Sequence, residues 1–163
     1  MRFSGLLYRA LNPVYAGKPL SGEGAACYGG RFNRVGQPAL YTSLAPETAL
    51  REANQVGTLQ PTTLVCYRAD VGPLLDGRDE VALATFELTP SQLADPNWRD
   101  DMLSQRTVAT HDLADFAIAD GYSGILVPSY ARGSPPYAVN LVLWEWDGRL
   151  ELVDTDNRLG LKP

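Results

Sequence analysis

Read for the alternation of apolar and polar positions, the chain breaks into short strands and one long helical stretch. SGLLYRAL, residues 4–11, predicts a strand that Asn12-Pro13 closes. Residues 15–38 are rich in Gly, Pro, Ser and Asn without a sustained period, and read as a long ordered loop. ALYTS, residues 39–43, predicts a short buried strand. A helix follows at Pro46, whose missing N–H costs nothing there, and Glu47 suits the positive end of the helix. At about 100° per residue, Ala49, Leu50, Ala53 and Val56 share one face. Glu47 and Arg51 lie opposite, Glu52 falls on the border of the apolar stripe, and Gly57 is a stop.

TTLVCYRADV, residues 62–71, predicts a strand rich in β-branched and aromatic residues, and VALATFEL, residues 81–88, predicts another. From Pro90 to Gly121 the pattern is helical, with Leu113, Phe116 and Ala117 at helical spacing. GILVPS, residues 124–129, is an apolar strand ending at Ser129, and the loop YARGSPPYAV follows. NLVLWEW (140–146) and RLELV (149–153) flank Asp147-Gly148, the strongest local hairpin signal in the chain. The last ten residues read as a tail. The pattern predicts one α+β domain over residues 1–163, mainly antiparallel strands with several helices.

Composition narrows the function. The net charge of −5 and pI near 4.8 argue against nonspecific nucleic-acid binding, so any anionic ligand needs local cations. Two cysteines, Cys27 and Cys66, and a single histidine, His111, give no metal-ligand spacing. The first residues lack a signal-peptide pattern, and no segment nears the roughly 18 apolar residues of a membrane helix. A cytoplasmic, metal-independent protein is expected.

The chemistry concentrates between Gly29 and Glu52. Gly29-Gly30 lets backbone approach a ligand and delivers Arg31, whose guanidinium can grip phosphate oxygens. Tyr41 supplies a flat ring, and Glu52 a carboxylate able to stabilise an oxocarbenium-like transition state. A ligand with a phosphate, a ring and a site of developing positive charge suits that set, and NAD+ has all three. Each residue also has a plainer reading: Arg31 as a surface arginine, Tyr41 as a core ring, Glu52 as a solvated glutamate like Glu47. Arg9 and Arg34 are further cations, Ser129 stands at a strand end, and Asn140 can place a backbone or a ligand. No GxGxxG, P-loop or GxSxG motif is present.

LLYRA, GGRFN, ALYTS, ALRE and ILVPS before NLVLW, taken together, make the chain similar to the RES-domain proteins over nearly its whole length. These are toxins of bacterial toxin–antitoxin pairs, named for an Arg, a Glu and a Ser. The resemblance implies a fold like that of diphtheria-toxin-type ADP-ribosyltransferases, NAD+ as substrate without a metal, and an Xre-type antitoxin protein that blocks the site. Carried over by position, Arg31 would hold the NAD+ phosphate or ribose, Tyr41 would stack on nicotinamide and Glu52 would be catalytic. Ser129 would complete the pocket, with Gly30, Asn33 and Arg9 as further binding residues. Phe32 departs from the Trp of many members, and LWEWDG from their Asn-Pro. The acceptor of ADP-ribose (water, phosphate or a protein side chain) stays open. So does a runner-up in which the same fold binds nucleotide or antitoxin without turnover, and a third in which Arg31 and Glu52 merely pair.

Overall fold

In the computed structural model, which describes residues 1–55 and 57–163, seven strands form one mixed sheet in the order β4-β5-β6-β2-β1-β3-β7. The strands are β1 (Phe3–Leu11), β2 (Leu40–Ser43), β3 (Thr63–Val71), β4 (Leu74–Asp76), β5 (Gly124–Pro128), β6 (Val139–Leu143) and β7 (Leu150–Leu152). Among the described residues only the β4–β5 pair is parallel. The helices are α1 (Glu23–Tyr28), α2 (Pro46–Ala53), α3 (Glu80–Ala84), α4 (Pro90–Leu93), α5 (Trp98–Leu103) and α6 (Ala109–Ala119). The α+β class with mainly antiparallel pairing is as expected. Among the described residues no helix is long and apolar enough to cross a membrane.

Strand alternation divides the core in two. Ile125, Val127 and Val142 pack against Leu83, Leu93, Leu113 and Ala117 of α3, α4 and α6. Leu126, Leu141 and Leu143 point the other way and meet Leu7, Val65, Tyr67 and Val71 of β1 and β3. Strands from both halves share that second cluster, so the sheet curls around it.

Several expectations are corrected. Residues 81–88 are not a strand: Asp79 accepts from the Val81 N–H at 2.9 Å and starts α3, whose Leu83 is fully buried. The loop 15–38 contains α1, and the long helical stretch is three helices. On α6, Leu113, Ala114 and Ala117 are buried but Phe116 is exposed. α2 ends at Ala53, ahead of Gly57; Thr48 and Ala49 are its buried residues, whereas Leu50 and Ala53 are exposed. Val56, assigned to its apolar face, lies outside the described residues. The supposed tail is partly packed, since Asp154 accepts from the Arg158 and Leu159 amides and Leu159 contacts the second cluster.

The predicted hairpin does not form. Asp147-Gly148 does make a turn, with Arg149 N–H donating to Trp146 O at 3.0 Å, but the flanking strands pair elsewhere. Trp144 N–H donates to Ser123 O and its indole to Phe32 O, while the Trp146 indole donates to Leu20 O. These bonds draw the chain off the sheet after Leu143, and β7 joins β3 at the far edge.

Leu141 is fully buried on the central strand β6, so Leu141→Ala is expected to lower the unfolding free energy by about 2–5 kcal/mol in a urea titration. Leu103→Ala, at a side chain 72% exposed, is expected to change it by less than about 0.5 kcal/mol.

Candidate active site

Three strand ends and one helix build the site. Ser43 closes β2 and sits in register with Asn140 of β6, which in turn pairs with Val127 of β5. Ser129 follows β5 directly. The chain leaves β2, turns at Leu44-Ala45 and enters α2 through Pro46, so Glu52, three residues after buried Ala49, faces back toward those strand ends.

There Glu52 is clamped. Its Oε1 accepts from Ser129 Oγ at 2.5 Å and from Asn140 Nδ2 at 2.6 Å, and its Oε2 accepts from Gln55 Nε2 at 2.6 Å. Asn140 Oδ1 accepts from Ser43 Oγ at 2.7 Å, which fixes the amide so that its NH2 meets the carboxylate. Ser129 has one proton and gives it to Glu52, so the 2.7 Å contact with Ser134 must run from the Ser134 hydroxyl to Ser129 Oγ. The carboxylate opens on a cleft of about 340 Å³ whose walls include Tyr8, Arg9, Tyr41, Ser43 and Asn140. That volume is at the lower end for small-molecule sites.

Tyr41 shows its ring to this cleft while its hydroxyl is spent on the loop behind. It accepts from the Phe32 N–H at 2.9 Å and donates to Asn33 Oδ1 at 2.8 Å. Burial pushes the phenol well above its ordinary pKa, so it stays a neutral donor. Asn33 is fully buried, and its NH2 donates to Ala25 O, Arg34 O and Gln37 O. Its side chain therefore holds the loop and has no group left for a ligand. Gly30 likewise serves packing: a Cβ there would overlap the Tyr41 hydroxyl.

Arg31 does not line the cleft, although it is near enough to feel the Glu52 charge. Its Nη1 donates to Leu93 O at 3.0 Å and Asp95 O at 2.7 Å, and its Cζ sits 4.6 Å from the Tyr130 ring centre and 5.7 Å from that of Trp98. Burial lowers its pKa, and Tyr130, Glu52, Tyr41 and Asp95 oppose the shift, so the guanidinium feels the Glu52 charge and stays protonated. The Tyr130 phenol is itself pushed up to about 12 by burial. Among the described residues Arg31 and Glu52 form no ion pair; each is held by neutral groups instead.

Of the residues named from sequence, Arg9, Tyr41, Glu52 and Asn140 line the cleft, Ser129 reaches it through Glu52, and Arg31, Gly30 and Asn33 do not line it. Arg9 lends Nη1 to Pro19 O and Ser21 O. Arg34 is turned away, paired with Asp112 and Asp115 of α6. Ser43, Gln55, Tyr130 and Ser134 were not read as site residues, and Asn140 was read only as a possible placer. The one available signal was a polar Asn opening an otherwise apolar strand. Among the described residues no group of three His, Cys, Asp or Glu could hold a metal ion.

A clamped carboxylate opening on a cleft of small-molecule size, with a half-buried arginine near it, marks an α+β domain with one candidate site. The family model of the RES domain matches residues 6–161, and the chain belongs to the RES-domain family. No curated protein matches it in sequence. Among solved structures, a chain of the M. tuberculosis MbcT–MbcA toxin–antitoxin complex has the same fold, with a TM-score of 0.64 at 23% identity. The match covers 94% of this chain and 84% of that one.

Two outcomes follow from this geometry. Gly30→Ala is expected to cost about 1–3 kcal/mol in thermal or urea unfolding, because neither the Tyr41 hydroxyl nor Asn33 has room to move. His111, buried, with Nε2 2.7 Å from Gly30 O and facing Arg34, Asp112 and Asp115, has its pKa lowered below 6.5, first by burial. The unfolded chain then binds the extra proton more readily, so stability is full above about pH 6.5 and is lost as pH falls toward the depressed folded value. Melting curves from pH 7.5 to 5 should show this acid loss, and His111→Gln should flatten it.

Proposed function

We propose that the chain consumes NAD+, cleaving the nicotinamide–ribose bond and passing ADP-ribose to water, phosphate or a protein side chain. As the toxin of a toxin–antitoxin pair it would arrest growth until an Xre-type antitoxin covers the cleft. The observation that carries the chemistry is the Glu52 carboxylate, held by three donors and open to a cleft that Tyr41 also lines. Membership of the RES-domain family and a fold shared with a chain of a toxin–antitoxin complex support the physiological half.

The residues present fit the substrate. The Tyr41 ring offers a flat wall for nicotinamide. Arg31 offers a planar cation for a phosphate. When the C–N bond breaks, its electron pair goes to the ring nitrogen, and nicotinamide leaves neutral without needing a proton. Positive charge then develops on the ribose, and the Glu52 carboxylate stabilises it electrostatically. The acceptor oxygen forms the new bond to the sugar carbon and gives up its proton, for which the Glu52 carboxylate is the adjacent base.

NAD+ labelled in its adenylate and mixed with purified chain should release nicotinamide. The label should then appear in free ADP-ribose, in a phosphorylated ADP-ribose or on protein, according to the acceptor. Glu52→Gln is expected to lower kcat by about 10²–10³-fold. Glu47→Gln, an exposed acid on the same helix, should leave it unchanged. NAD+ that binds without losing nicotinamide would point to a binding module instead, and intact NAD+ with no binding at all would remove the proposal.

A further inference from the structure

The turn that delivers Arg31 is gripped from outside at three successive carbonyls. Gly30 O accepts from His111 Nε2 at 2.7 Å, Arg31 O from Thr110 Oγ1, and Phe32 O from Trp144 Nε1 at 2.9 Å. A carbonyl can only accept, so the His111 proton sits on Nε2. Thr110 and His111 are 2% and 3% exposed and do not line the cleft, so neither can touch a ligand there. They are adjacent residues of the first turn of α6, and each spends its polar atom on the peptides flanking the Arg31 Cα.

The guanidinium is steadied separately. Leu93 O and Asp95 O hold Nη1, and the Tyr130 and Trp98 rings flank the plane. Among the described residues Nη2 and Nε have no protein partner, which leaves one edge of the fork available to an anion. The direction of that edge depends on the peptide from which the side chain starts. A bidentate contact tolerates little angular error, so a loosened turn would spoil the grip without removing the charge.

We infer that Thr110 and His111 are positioning residues that aim Arg31 at the phosphates of the substrate. The inference rests on the proposal that Arg31 grips NAD+. Removing one of these bonds should weaken substrate capture and leave the bond-breaking step, which belongs to Glu52, almost untouched.

Steady-state kinetics with NAD+ test this. Thr110→Val and His111→Phe, which keep volume and delete the donor, should each raise KM about tenfold while kcat stays within about threefold. Thr110→Ser and His111→Gln restore a donor and should restore KM. In an Arg31→Ala background, Thr110→Val should add no further rise, because the group it aims is gone. If His111→Phe fails to fold, Thr110→Val alone decides. An unchanged KM in Thr110→Val, or an equal rise with and without Arg31, would overturn the inference while leaving NAD+ cleavage standing. A wild-type chain that neither binds nor cleaves NAD+ would instead remove the functional proposal, and this one with it.

Discussion

A carboxylate half sunk in protein needs donors to replace the water it has lost, and at Glu52 the register of three strands positions two of them. Ser43 and Asn140 are register partners on β2 and β6, and Asn140 is also level with Val127 near the end of β5, two residues before Ser129. A one-residue slip of β6 would send Asn140 to the opposite face of the sheet. Glu52 Oε1 would then lose one of its two donors, and Ser43 its acceptor. Leu141 and Leu143 would leave their cluster in the same movement, so the core that fixes the register also protects the site.

Tyr41 ties this carboxylate mount to the arginine mount. It belongs to β2, two residues before Ser43, yet its hydroxyl is the partner of the Phe32 amide and the Asn33 side chain in the preceding loop. Asn33 in turn stitches α1 to that loop through Ala25 O and Gln37 O. Between α1 and β2 these side-chain bonds add to one isolated bridge, Gly30 with Asn33, and a few backbone bonds such as Gly36 N–H to Ala26 O. Such bonds are individually worth about 1 kcal/mol, and their cooperation is what makes an irregular loop rigid enough to aim a cation.

Sequence patterning reached most of the sheet because β3 buries alternate residues and β5 and β6 are apolar but for Asn140, and a period of two survives in strings such as TLVCYRADV. It failed where the deciding partner is distant. Asp147-Gly148 is a genuine turn, but Trp144 and Trp146 donate to Phe32 O and Leu20 O, more than a hundred residues away, and this breaks the hairpin. Residues 80–84 make barely more than one helical turn, too short for a period to declare itself, and the cap at Asp79 was the only local cue. In the site, Arg31, Tyr41, Glu52 and Ser129 stood out by chemical type and spacing. Ser43, Gln55, Tyr130 and Ser134 did not, since their roles exist only across strands and loops. Asn33 was read as a ligand contact because its type allows one, and burial decided otherwise.

Opposite charges close enough to perturb one another would ordinarily collapse into an ion pair, yet Arg31 and Glu52 remain apart. Each is already held by other groups: the guanidinium by two carbonyls at Nη1 and two rings, the carboxylate by a hydroxyl and two amides. Neutral dipoles hold a charge in place without cancelling it, whereas a salt bridge would spend both charges on each other. Glu52 Oε1 is saturated, and the Gln55 amide on Oε2 comes from an exposed residue just beyond the helix. Gln55 is therefore the donor most easily exchanged, and the proposed chemistry would use that exchange to bring the negative charge against a sugar. Separation leaves two half-buried charges uncancelled, which is the condition the proposed reaction needs to engage both ends of one molecule.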